Sequence, residues 1–172
     1  MGIFEKNTDL ISFLHFAGNC IKHRVFAKSS KGHGVHSPFA YDFISNVLGG
    51  SNNLEQLYQL KEHRRRLLNI CNKIPSSNFG AKDNKGNGLV AVKRVIKRSS
   101  VSHKRGALLY HAARWLGSRN ILEIGTSLGI STLYMAKACP VASIITLEGE
   151  KTRAEFAKNL FESNRCNNIT VI

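Results

Sequence analysis

Acidic residues are scarce in this sequence: 11 Asp and Glu face 25 Lys and Arg over 172 residues, a formal charge of +14 with histidine neutral. Like charges at that density repel, so the fold has to spread them or find anions for them. Cysteine is also thin, with four residues at 20, 71, 139 and 166. No two are spaced as Cys-x-x-Cys, which excludes the usual opening of a zinc site or redox motif, and the four read as reduced thiols of a cytoplasmic protein. Long apolar runs are missing too. The most apolar N-terminal stretch, Leu10 to Ile21, is about a dozen residues long and holds His15 and Asn19, against the roughly 20 residues a membrane span needs. The opening Met-Gly-Ile-Phe-Glu-Lys lacks the basic and apolar regions of an export signal, and Lys6 stands where a myristoylation signal wants Ser or Thr. These absences predict a soluble protein without membrane partners. Hydrophobic residues at 42% and charged residues at 21% further exclude collagen, a disulfide scaffold and wholesale disorder.

The positive charge is concentrated in one part of the chain. Residues 1 to 105 hold 18 Lys and Arg against 6 Asp and Glu, whereas residues 106 to 172 hold 7 against 5. Clustered cations gain by neutralising phosphates and releasing counterions, which keeps a nucleic-acid partner open for the basic half. The sequence favours a plainer account. Lys61 with Arg64, Arg65 and Arg66, and Lys93 and Arg94 with Lys97 and Arg98, are interleaved with Leu67, Leu68, Val92, Val95 and Ile96. That is the spacing of amphipathic helices with a solvated basic face, and no recognised nucleic-acid module accompanies it.

Helical spacing runs from Thr8 to about Arg24, followed by a Gly- and Ser-rich loop over 28 to 36. Ser37 and Pro38 supply a cap and a first-turn proline for a helix that Gly49 and Gly50 close. A third helix is expected from Leu54 to about Asn72, capped by Asn52 or Asn53 and stopped by Pro75, with a loop over 76 to 88. Two more helices are expected at 89 to 98 and 102 to 116, the latter closed by Gly117. The period then changes to strand 120–124, helix 129–138, strand 142–148, helix 151–164 and strand 168–172. A β-α-β-α-β order implies a parallel sheet with right-handed crossovers. The expected organisation is therefore a basic helical region over 1–100 and an α/β region over 101–172.

Chemistry in an open α/β sheet gathers at the carboxyl ends of its strands. There the sequence reads Ile-Leu-Glu-Ile-Gly-Thr-Ser-Leu-Gly-Ile-Ser-Thr over 121–132. Gly125 permits a sharp turn, and Gly129 lets a ligand or a helix come close, while the following helix turns unpaired N–H groups toward an anion. Thr126, Ser127, Ser131 and Thr132 add hydroxyls. Glu148 ends the next strand, where a carboxylate can accept both hydroxyls of an adenosine ribose. A dinucleotide site would need Gly-x-Gly-x-x-Gly, and the middle glycine is absent, so NAD is disfavoured. Among the histidines, His33 and His36 lack a third ligand at metal spacing, and His103 and His111 read as solvated or core residues, as Trp115 and Phe156 read as core.

The pattern Glu-x-Gly-x-x-x-Gly resembles motif I of class I S-adenosylmethionine-dependent methyltransferases. The run ILEIGTSLGIST is similar to the O-methyltransferase branch that includes catechol O-methyltransferases, and Thr-Leu-Glu-Gly at 146–149 resembles that branch's motif II. The likeness covers about 105–172, with HGVHSPFAYDFISNVL similar to N-terminal extensions of bacterial members. The resemblance implies a Rossmann-like fold of which only the N-terminal half is present. It implies S-adenosylmethionine as cofactor, with Gly125 and Gly129 shaping the loop around the methionine part, Glu123 facing the ammonium and Glu148 holding the ribose. Thr126, Ser127 and Ser131 would serve the carboxylate end or the loop itself. Any divalent-metal ligands and the pocket for a small-molecule acceptor would lie beyond residue 172. A basic nucleic-acid-binding protein, an RNA methyltransferase and an aminopropyltransferase are the competing expectations, and a homo-oligomer stays open.

Overall fold

The computed structural model describes residues 18–19, 36–51, 54–76 and 88–172. The helix expected at 8–24, apart from residues 18 and 19, lies outside the described residues, as do His33, Cys20, Asn52 and Asn53. The chain forms two compact units, residues 1–44 and 45–172. In the first, Ser37 Oγ accepts the Ala40 N–H at 3.3 Å and Pro38 occupies the first turn of α1 (Pro38–Phe43), as the sequence predicts. The expected single helix does not stay regular to residue 48, because Ile44–Leu48 is a π-helical turn.

The second unit contains α2 (Glu55–Leu68), β1 (Lys73–Ser76), β2 (Gly88–Ala91), α3 (Val92–Ser99), α4 (His103–Leu116), β3 (Asn120–Ile124), α5 (Ile130–Ala138), β4 (Ser143–Leu147), α6 (Lys151–Ser163) and β5 (Ile169–Val171). Helices from the basic region thus share a unit with the sheet. Two helix limits predicted from sequence are wrong. The third helix stops at Leu68 rather than near Asn72, and residues 88–91 are a strand rather than the start of a helix. Segments 73–76 and 88–91 pair antiparallel, with Ile74 opposite Val90 and Pro75 opposite Leu89. Pro75 explains the outcome: it pushes Ile74 into extended backbone, and its missing N–H is tolerated in a strand with a free edge. The buried, β-branched Ile74 then suits the pleat.

Helix α3 sorts its residues by face. Val92, Val95 and Ile96 are buried while Lys93, Arg94, Lys97 and Arg98 are exposed, so its charge is a solvated face over an apolar stripe. Each such buried aliphatic side chain contributes about 1.5–3 kcal/mol. Helix α4 starts on Ser102, whose hydroxyl accepts the Arg105 N–H, and closes on left-handed Gly117. It packs close to α5, since a Cβ on Gly106 would lie 2.6 Å from the Tyr134 ring.

The parallel sheet has the order β3-β4-β5. Ile121, Ile144 and Ile169 align across it, as do Glu123, Thr146 and Val171. This face meets the core, where Leu128, Leu133, Ile144, Ala157 and Phe161 pack with Leu57, Leu60 and Ile96. The other face is apolar and exposed among the described residues. Leu122 is 66% and Ile124 83% exposed, and β3 pairs only with β4 among the described residues. Among the described residues the β3 edge is therefore unpaired and this apolar face is uncovered. No described helix is long and apolar enough to cross a membrane. Cys71, Cys139 and Cys166 are free thiols, and burial pushes the last two up from the ordinary thiol range.

Candidate functional site

At the carboxyl end of β3 the chain bends through three left-handed residues, Gly125 (φ 93°), Ser127 (φ 50°) and Gly129 (φ 80°). The bend is tied to the end of β4: Gly125 and Thr126 both donate their N–H groups to the Leu147 carbonyl, at 2.9 and 3.0 Å. Ser127 is the strained member, since an L side chain in this region costs roughly 1–2 kcal/mol. Two contacts offset that cost. Its N–H donates to Glu148 Oε2 at 2.6 Å, and its hydroxyl lies 2.9 Å from the Ser99 hydroxyl at the end of α3.

The two glycines have different neighbours. A Cβ on Gly129 would sit 2.7 Å from the Phe161 ring and 3.1 Å from Ala157 Cβ. The close approach that the sequence assigned to a ligand or a helix is thus made by α6. A Cβ on Gly125 would meet nothing within 4 Å, so open space faces the bend there.

Glu123 is engaged from within the fold. Ser131 Oγ donates to its Oε1 at 2.6 Å, Thr146 Oγ1 donates to Oε2 at 2.7 Å, and Thr132 Oγ1 donates to Oε2 as well. Thr126 and Thr146 hydroxyls lie 2.6 Å apart. Because Thr146 gives its single proton to the carboxylate, Thr126 is the donor in that pair. Thr126, 1% exposed, therefore closes a buried relay from the bend to Glu123 and presents nothing to solvent.

Glu148 is half-buried and holds backbone rather than side chains. Oε2 accepts from Ser127, and Oε1 accepts the Glu150 N–H at 3.1 Å. A carboxylate has about four acceptor sites, so two remain for a ligand. The bend and the acid that the sequence set apart by 19 residues from Gly129 are direct neighbours.

Thr146 and Ser99 belong to this constellation and were missed in the sequence. Thr146 had a signal, a lone hydroxyl in an apolar strand at the register of Glu123. Ser99 had none, because its position depends on how α3 packs. Beside the bend, His103 Nδ1 lies 2.8 Å from Tyr134 OH. Burial, with the Lys61 and Arg64 charges behind it, lowers His103, and burial pushes Tyr134 up to about 12, so this phenol keeps its proton. His36 is exposed, and Phe156 packs on the core. Trp115, expected in the core, is half-buried. Among the described residues no three His, Cys, Asp or Glu side chains cluster as a metal site would require.

Residues 88–170 match the family model described as O-methyltransferase. A catechol O-methyltransferase from Mycobacterium tuberculosis is 34% identical over 79 residues, covering 45% of this chain and 36% of that protein. An O-methyltransferase from Bacillus cereus, solved in complex with SAH, is 24% identical with a TM-score of 0.43 over 76% of this chain and 47% of that one. An O-methyltransferase from Streptomyces achromogenes, solved in complex with SAM, is 24% identical with a TM-score of 0.42 over 75% and 46%. The chain thus spans about half the length of these solved relatives and less of the curated one. The glycine bend and both acids lie inside the region, residues 88–170, that is similar to O-methyltransferases.

Proposed function

We propose that this chain provides the cofactor-binding half of an S-adenosylmethionine-dependent methyltransferase that methylates a hydroxyl of a small molecule. One contact carries the reading: the 2.6 Å bond from the Ser127 N–H to Glu148 joins the glycine bend and the strand-end acid. The donor set fits the cofactor. Glu148 keeps two acceptor sites for the ribose hydroxyls, and the space before Gly125 is open for the methionine part. Glu123 accepts three hydroxyls and keeps one acceptor site toward the ammonium, while Thr126 and Ser131 brace the loop. Gly129 admits α6, and the Ser127 backbone links loop to acid.

Bound S-adenosylmethionine supplies a sulfonium methyl open to in-line attack by an oxygen nucleophile. The residues of this chain bind and orient. Holding reactants in line is the larger part of such a rate enhancement, and a rigid corner stitched to Leu147 suits that task. Calorimetric titration with S-adenosylhomocysteine tests the reading. Glu148→Ala is expected to weaken binding about tenfold or more, the loss of a charge-assisted pair of hydrogen bonds. Equal affinity in the two proteins would remove Glu148 from the site, and with it this reading.

A further inference from the structure

A second cleft lies between α2 and the carboxyl ends of α5 and α6. Its volume is about 300 Å³, at the lower edge of the range for small-molecule pockets. Gln56, Leu60 and His63 form one wall, at the i, i+4, i+7 spacing of a single face of α2. Lys137 near the end of α5, with Asn164 and Arg165 just past α6, forms the other. Roughly 10 Å of α5 and 20 Å of α6 separate these groups from the glycine bend and from Glu148.

Four groups bring donors to this space. Tyr110 OH donates to Gln56 Oε1, which leaves the amide N–H groups of the exposed Gln56 for the cleft. His63 is half-buried, with no hydrogen-bond partner among the described residues and neither ring nitrogen closed to solvent. Burial, then the Arg66 and Lys137 charges, holds it below the usual histidine range, so near neutral pH it is an uncharged ring with one N–H to give. Lys137 gives one proton to the Asn164 carbonyl at 2.7 Å and has Cys166 Sγ beside it, which leaves at least one proton for the cleft. Arg165 is exposed. No Asp or Glu lines the cleft, and among the described residues no carboxylate stands within ion-pair distance of His63, Lys137 or Arg165. The carbonyls at the end of α6, which would repel an anion, are already taken: Leu160 accepts Asn164 Nδ2, Phe161 the Cys166 N–H and Glu162 the Arg165 N–H. Arg165 is also placed against its backbone preference. It is the left-handed residue of the turn that closes α6, with φ 54°, where glycine or asparagine is the usual occupant.

We propose that this cleft binds the phosphoryl group of a small phosphate monoester, held by Gln56, His63, Lys137 and Arg165. The donor count selects the ligand. A carboxylate has two oxygens and one charge, too few for four groups arriving from three parts of the chain. A phosphate monoester presents three terminal oxygens and a charge of about −1.5 to −2 near pH 7, which matches two cations and two neutral donors. A nucleic-acid phosphodiester has only two free oxygens and a single charge. This site is separate from Glu148 and the bend, so it stands or falls independently of methyl transfer.

Calorimetric titration of the full chain with methyl phosphate, at about pH 7.5 and physiological ionic strength, tests the proposal. Saturable binding of one molecule is expected, with a midpoint below about 5 mM, and dimethyl phosphate and acetate are each expected to bind about tenfold more weakly or worse. Arg165→Gln is expected to weaken methyl phosphate by a similar factor. Arg165→Gly removes the guanidinium and relieves the left-handed backbone, so it should lose the same binding while being no less stable in urea. Lys97→Gln, on the basic face of α3, should bind as the wild-type chain does. The proposal is overturned by no saturable heat, by equal binding of methyl and dimethyl phosphate or of acetate, or by an unaltered midpoint in both Arg165 variants. An equal loss in Lys97→Gln overturns it too, since that outcome is diffuse attraction to a cationic chain.

Discussion

Strands β3 and β4 each bring a glutamate to the same end of the sheet, and the two carboxylates have different surroundings. Glu123 is surrounded by the hydroxyls of Ser131, Thr132 and Thr146, two of them buried. Glu148 accepts two backbone N–H groups at the mouth of the bend and keeps acceptor capacity to spare. The difference teaches that an acid beside a glycine turn can be frame or contact. What decides is how many of its lone pairs the fold has already used.

The largest expected effect comes from removing what both acids depend on. Gly129→Ala would set a Cβ against the Phe161 ring in a left-handed conformation, and a loss of roughly 2–4 kcal/mol is expected in urea denaturation. An unchanged midpoint would mean that α6 does not pin the bend. Next is Glu123→Ala, which strands the hydroxyls of Thr132 and Thr146 in the core and should cost about 2–3 kcal/mol. Glu148→Ala should cost about 1 kcal/mol in the same assay, because its two backbone donors can turn to water. Equal losses in the two alanine variants would break the distinction between frame and contact. Thr146→Val sharpens it further: it keeps shape, removes the relay between Thr126 and Glu123, and should cost about 1 kcal/mol. The smallest effect is a pH dependence. Burial holds His63, His103 and His111 below 6.5 in the folded chain, so the unfolded chain binds more protons just below that value. Stability is therefore fully present above about pH 6.5 and declines as the pH falls through that region. A melting temperature that rises on acidification from pH 7.5 to about 5.5 would contradict this, and His111→Gln should flatten part of the slope.

Much of the sheet was readable. The change of period at 120, the alternation of strand and helix, and the cap at Ser37 and stop at Gly117 all appear as the spacing predicts. The amphipathic pattern of α3 also appears as expected, because Val92, Val95 and Ile96 carry the period of a packed helix. The hairpin of β1 and β2 was not readable. Pro75 looks like a helix stop from the sequence, and only the partner segment at 88–91 turns it into a strand. Ser99 and Trp115 were illegible for the same reason, since each acquires its surroundings from an element distant in the chain.

By itself the sequence determined the β-α-β-α-β order, the glycine bend after the first parallel strand and an acid at the end of the next, because these follow from local periodicity and from the backbone freedom of glycine. Tertiary structure alone decided which acid is occupied by the fold, which glycine admits a helix and which faces open space, and that His111 ends with a buried nitrogen lacking a partner. Those outcomes depend on atoms brought together across parallel strands and packed helices, where a hydrogen bond is made or left unmade by distances no linear spacing encodes.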